Sequence, residues 1–186
     1  MDSMVVMLTS LCSQISKITI TRVVNLSKRR KALQKKMCVG YDLQEFNKIG
    51  NNFGHVGLEE SAMMLSDSLN MKLKMTMSYR PVMAKRNLHS NGTKVNRGRI
   101  AGIHHSLVAK RNNSKFLNMH LYMYVGAKEY DMIEIKGIPP VHIKTKGVSG
   151  DKSTIALLSN YIPIILERKP GLYTVNQLPI PSFKFY

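Results

Sequence analysis

The feature that most constrains this chain is a pair of long alternating runs, Arg99–Ala109 and Phe116–Val125, separated by the polar connector Lys110–Lys115. In the second run Leu117, Met119, Leu121, Met123 and Val125 fall on one face, and His120, Tyr122 and Tyr124 on the other. A period of two puts one set in a core and the other on the opposite side of a sheet. The two runs therefore read as neighbouring antiparallel strands. Lys17–Asn25, rich in β-branched residues, reads as a further strand, as do Met71–Met83 (ending near Pro81), Asp131–Lys136 and Val141–Lys146.

Helical spacing governs the remaining apolar segments. Met1–Ser13 carries Met4, Val5, Met7, Leu8 and Leu11 on one side; Leu58–Leu69 carries Leu58, Ala62, Leu65 and Leu69, with Glu59 and Glu60 in its first turn. Asp42 is placed to cap a short helix to Ile49, and Asp151 to cap one from Lys152 to about Ile165, which Pro163 is expected to kink or end. Leu26–Gly40 reads as a basic connection, Asn51–Gly54 and Asn87–Asn96 as turns, and the chain from Pro170 onward as extended. The expected fold class is α+β: a mixed, largely antiparallel sheet with helices packed on it, formed as one domain over residues 1–186.

At 44% hydrophobic the chain can bury a core, but no apolar run reaches the roughly 18–20 residues that a membrane helix needs. Met1–Leu11 lacks the basic start of a signal peptide, and Cys12 and Cys38 form neither a metal spacing nor a disulfide framework. A cytoplasmic protein with two reduced thiols and no metal is the expectation. The net charge of +17 favours anionic ligands, but the basic residues are scattered among Lys28–Lys31, Lys35-Lys36, Lys85-Arg86 and Lys110-Arg111. No nucleic-acid-binding signature accompanies them, so a nucleic acid is not the favoured partner.

No Gly-x-Gly occurs anywhere in the chain, which removes the dinucleotide fingerprint. Gly147-Val-Ser-Gly-Asp-Lys-Ser-Thr has two residues between its glycines where a phosphate loop requires four, and Asp151 would oppose a phosphate. It reads as a tight turn into a capped helix, although an exposed helix N-terminus can also hold a substrate carboxylate.

Candidate chemistry begins with Lys28, Arg29 and Arg30 just after a strand. Arginine forks grip a carboxylate through paired hydrogen bonds, though a solvated basic loop reads the same way. Lys35 and Lys36 follow this logic with less weight. His55 lies between glycines at the start of a helix, with Glu60 five residues on. A helix N-terminus disfavours imidazolium, so His55 could act as a base or contact substrate; a turn histidine bonded to backbone is the equal alternative. His104 and His105 alternate across a strand, so only one can face any pocket. Asp151 and Thr154 could orient a substrate amine, but both also cap helices routinely.

Several blocks occur in a particular order: Met1-Asp-Ser, Thr21-Arg-Val-Val-Asn-Leu-Ser-Lys-Arg-Arg, Leu33-Gln-Lys-Lys, Gly54-His-Val-Gly-Leu-Glu-Glu-Ser, Gly98-Arg-Ile-Ala-Gly, Gly137-Ile-Pro, Gly150-Asp-Lys-Ser-Thr and Pro170-Gly-Leu-Tyr-Thr. Each is weak alone; together they make the chain resemble, over nearly its whole length, the C-terminal domain of the 2,4-diaminopentanoate dehydrogenases, relatives of dihydrodipicolinate reductase. The resemblance implies a substrate-binding and oligomerisation domain of a two-domain oxidoreductase that deaminates a diamino acid oxidatively. It implies a small amino-acid substrate, a homo-oligomer, and NAD or NADP held by an N-terminal Rossmann domain. This chain looks like the second domain alone, expected to bind no cofactor and to be inactive without a separately encoded Rossmann partner. Under this reading Lys28, Arg29, Arg30, Lys36, His55, Glu60, Asp151 and Thr154 are the candidate substrate-binding residues. The acid/base stays open between His55 and Lys28. A non-catalytic amino-acid-binding module, and then a basic nucleic-acid-binding protein, are the alternatives.

Overall fold

The computed structural model describes residues 2–49, 57–90 and 92–183. The expected turn at Asn51–Gly54 lies outside the described residues, as does His55. Six strands form one sheet: β1 (Gln14–Asn25), β2 (Lys74–Met83), β5 (Ile100–Arg111), β6 (Ser114–Tyr124), β7 (Tyr130–Ile138) and β8 (Val141–Thr145), in the order β2-β5-β6-β1-β7-β8. The pair β1–β6 is parallel and the other four pairs are antiparallel, which is the mixed, largely antiparallel α+β sheet expected. The two runs singled out by their alternation are neighbours, with Leu107 opposite Met119 and His105 opposite Leu121.

Register decides which face is buried. Ile18 stands opposite Leu117, Ile20 opposite Met119 and Val24 opposite Met123, so the apolar sets of the two parallel strands share one face. Toward one end of that face, α1 (Asp2–Thr9) and α4 (Leu58–Ser68) supply Val5, Leu8, Ala62 and Leu65 to a core with Ile18, Leu107, Leu117 and Ile133. Toward the other, Leu26, Met37, Cys38 and Phe46 pack with Ile103, Leu121 and Met123. Burying each large side chain contributes about 1.5–3 kcal/mol. The opposite face carries Thr21, Asn118, His120, Tyr122, Tyr124 and His104, a polar and aromatic set.

Three local readings need correction. The basic connection Leu26–Gly40 contains a helix, α2 (Lys31–Lys36), made of good helix formers and stopped where Cys38 turns at φ 56°. The polar turn Asn87–Asn96 is a small hairpin, β3 (Leu88–Ser90) with β4 (Thr93–Val95), closed at Gly92 with φ 78°. Asp151 does not cap the last helix. α5 (Gly150–Leu166) starts from Ser149, and Asp151 sits in its first turn. The local capping preference loses to a tertiary partner, because the Asp151 carboxylate accepts from Arg29 at 2.8 Å. Pro163 lies inside α5, which continues to Leu166. Asp42 caps α3 (Leu43–Ile49) as expected: its Oδ1 accepts the Glu45 N–H, and the Glu45 carboxylate accepts the Asp42 N–H.

Candidate functional site

Between the two cores the covered face of the sheet stays open, leaving a cavity of about 430 Å³. Its floor is apolar: Ile20 and Val24 of β1, and Met119, Leu121 and Met123 of β6. Arg22 rises between Ile20 and Val24 on the same face because the strand repeats every two residues. The walls are the first turns of three helices. Arg29, Arg30 and Leu33 come from the approach to α2 and its first turn, Gly57, Leu58 and Ser61 from α4, and Gly150, Asp151 and Thr154 from α5.

The electrostatics are lopsided. Three guanidinium-bearing residues, Arg22, Arg29 and Arg30, meet the single carboxylate Asp151, and the positive ends of helix dipoles point the same way. Arg29 is paired with Asp151 at 2.8 Å, the aspartate remaining exposed. Arg22 is anchored from behind: its Nε lies 3.5 Å from Asp131 Oδ1, and it donates to the Val148 carbonyl at 3.0 Å. Thr154 turns its hydroxyl back to the Gly150 carbonyl at 2.8 Å. With Arg22 beside Asp131 and Arg29 on Asp151, the surplus positive charge is that of Arg30 and the helix N-termini, and it can receive a carboxylate while Asp151 attracts an ammonium on the same small molecule.

Of the residues singled out in the sequence, Arg29, Arg30, Asp151 and Thr154 line this cavity. Lys28 is exposed just before them, Lys36 is exposed in the last turn of α2, and Glu60 is exposed on α4; none of these three lines it. Arg22 was missed, although an arginine inside Ile-Thr-Arg-Val-Val, at a position shared with the apolar face, is a signal that could have found it. The adjacent histidines divide between the two faces. His105 is buried and stacks on Tyr79 with ring centroids 4.1 Å apart. His104 stacks on Tyr122 at 3.9 Å and places Nε2 3.2 Å from His120 Nδ1. Burial, then the nearby His120, Arg80 and His105, hold His104 down to a pKa of about 4.

Among the described residues no element has the form of a nicotinamide dinucleotide cradle. The usual cradle is a glycine-rich turn between a parallel strand and a crossover helix. Here, among the described residues, the one parallel pair, β1–β6, is joined through α2, α3, α4 and four intervening strands. Among the described residues no group of three His, Cys, Asp or Glu side chains could hold a metal ion, and no helix is long and apolar enough to cross a membrane.

Comparison with known proteins agrees with this architecture. The fold is similar to that of an amine dehydrogenase from Mycobacterium smegmatis, with a TM-score of 0.85 at 18% identity, covering 97% of this chain and 56% of that one. A 2,4-diaminopentanoate dehydrogenase from Acetoanaerobium sticklandii is 29% identical across 97% of this chain, which spans only 54% of that relative's length. Residues 1–184 match the 2,4-diaminopentanoate dehydrogenase C-terminal domain family, and the chain belongs to that family.

Proposed function

We propose that this chain is the substrate-holding half of an NAD(P)-dependent oxidoreductase acting on a small diamino acid. The observation that carries the reading is the cavity between the two cores, where Arg22, Arg29 and Arg30 converge with Asp151 as the single carboxylate. A 2,4-diamino acid has one carboxylate and two ammonium groups. The arginines would take the carboxylate, and Asp151 would steer an ammonium. The apolar floor of Ile20, Met119 and Leu121 would receive the alkyl chain.

In the oxidative deamination implied by the family resemblance, the carbon bearing a neutral amine would give a hydride to nicotinamide and its nitrogen a proton to solvent, leaving an imine. Water then releases ammonia and leaves a ketone. No cradle for the dinucleotide occurs among the described residues; a Rossmann domain, joined to this chain or encoded separately, would supply it, in a cytoplasmic homo-oligomer. The chain alone would bind the amino acid without turnover.

Thermal unfolding with and without 2,4-diaminopentanoate, NAD⁺ and NADP⁺ tests this. A ligand at about 100 times its Kd adds roughly 2.7 kcal/mol of stability. Stabilisation by the diamine alone is the expected result. Stabilisation by either nucleotide, or turnover by the purified chain, would overturn the division of labour. No response to the diamine would remove the substrate assignment.

A further inference from the structure

The two ion pairs at the cavity are built differently. The Asp131 side chain, which holds Arg22, is 6% exposed, and Arg22 also donates to the Val148 carbonyl. The Asp151 side chain, which holds Arg29, is 85% exposed, and among the described residues it has no other partner. A carboxylate standing in water holds its cation weakly, whereas a buried one is costly to separate. The Arg22 pair is therefore fixed and the Arg29 pair exchangeable. Arg29 comes from the approach to α2 and Asp151 from the first turn of α5, and both line the cavity. Their contact thus sits where the cavity meets solvent.

We propose that the Arg29–Asp151 pair is a charge-matched gate: it admits ligands carrying a carboxylate and an ammonium close together, and turns away those carrying only one of the two. The gate rests on the reading of this cavity as an amino-acid site. A lone carboxylate that takes Arg29 leaves Asp151 without its cation and meets the repulsion of that second anion. A lone ammonium that takes Asp151 is set beside the Arg29 guanidinium. An α-amino acid has both groups on one carbon. Its carboxylate replaces Asp151 on Arg29 while its ammonium replaces Arg29 on Asp151, and no charge loses its partner. Asp151 then determines specificity by what it excludes as much as by what it attracts.

NMR titrations of the isotope-labelled full chain with pentanoate, 2-aminopentane and 2-aminopentanoate, at constant ionic strength, test the gate. In the wild type, 2-aminopentanoate should bind more tightly than either single-charge analogue. Asp151→Asn removes the competing carboxylate, so pentanoate affinity should rise about fivefold, the most that an exposed pair withholds, while 2-aminopentanoate affinity falls. Adding Arg29→Gln to that variant should cancel the gain for pentanoate. Glu167→Gln makes the same charge change at the other end of α5, about 24 Å away and beyond the reach of a screened charge, and should produce no gain. Unchanged pentanoate affinity in Asp151→Asn would overturn the gate. So would an equal gain in Glu167→Gln, a gain that survives Arg29→Gln, or a wild-type chain that binds 2-aminopentanoate no better than pentanoate. If the gate passes these tests while 2,4-diaminopentanoate leaves thermal unfolding unchanged, the gate stands and the proposed substrate falls. Stabilisation by 2,4-diaminopentanoate without the pentanoate gain would keep the substrate and remove the gate.

Discussion

Arg22 and Asp131 face each other across the β1–β7 pair, 3.5 Å from Nε to Oδ1, and both hold the same residue of the loop that leads into α5. The Val148 carbonyl accepts from Arg22 at 3.0 Å, and the Val148 N–H donates to Asp131 Oδ2 at 3.1 Å. The ring thus closes through both a backbone donor and a backbone acceptor. It fixes the start of α5, and with it Gly150, Asp151 and Thr154, against the cavity.

Asp131→Asn is therefore expected to act on both stability and the site. Asp131 is buried, while the Arg22 side chain is about a third exposed. Losing the carboxylate leaves the cation with water on one side, so the cost falls below that of breaking a fully buried pair, at about 1–2 kcal/mol. Urea unfolding reads this loss. The stabilisation gained with 2,4-diaminopentanoate should shrink in the same variant, because the rim of α5 is no longer held.

Arg29→Ala and Arg30→Ala should show the opposite division. The Arg29–Asp151 pair includes an exposed carboxylate, and such pairs contribute about 0–1 kcal/mol. Unfolding of the free chain should thus change by less than about 1 kcal/mol, while most of the diamine-dependent thermal shift disappears. Lys28→Ala, at a position outside the cavity, should keep that shift. If Lys28→Ala abolished it and Arg29→Ala did not, the assignment of the carboxylate to the cavity arginines would fail.

Gly102 closes the block Gly98-Arg-Ile-Ala-Gly, and its place in the sheet explains the residue. It has φ +155°, and a Cβ there would lie 2.0 Å from the Met123 carbonyl oxygen and 2.6 Å from the Tyr124 Cα, both backbone atoms of β6. Neither can yield without parting β5 from β6. Gly102→Ala should destabilise by about 3 kcal/mol or more, read as a lower urea midpoint or as loss of soluble protein.

What could be read from residues alone follows a physical division. The alternation of Leu117 to Val125 and the Asp42 capping box depend on neighbours a few residues away, so local pattern carries them. The parallel docking of β1 on β6 is of another kind. Nothing within Lys17–Asn25 says which strand Ile20 will face, and it meets Met119. The cavity inherits this dependence, because Arg22, Arg29 and Asp151 are brought together by strand order and not by spacing. Asp151 shows the competition within one residue: its local preference was a helix cap, and Arg29 took the carboxylate. Lys28 and Arg29 look alike in a basic run, and only the path of the chain into α2 turns one toward the cavity.

The polar face of the sheet should give the fold a pH dependence. His104 is held to a pKa of about 4, first by burial and then by His120, Arg80 and His105. His120 is also lowered, by burial and then by Lys17. In the unfolded chain both rings take a proton near pH 6.5. Between that pH and about 4 the unfolded state binds more protons than the folded one, so stability rises with pH across this window. It is fully present above about 6.5 and is lost as the pH falls toward 4. Solvent reaches these rings in part, so His104 should account for about 1–2 kcal/mol, less than its whole shift would give. Urea unfolding at pH 7, 6, 5 and 4.5 measures the slope. His104→Gln keeps a polar group beside His120 and removes the titration, and should flatten the profile in that interval. An equally steep fall in the variant would place the acid sensitivity elsewhere in the chain.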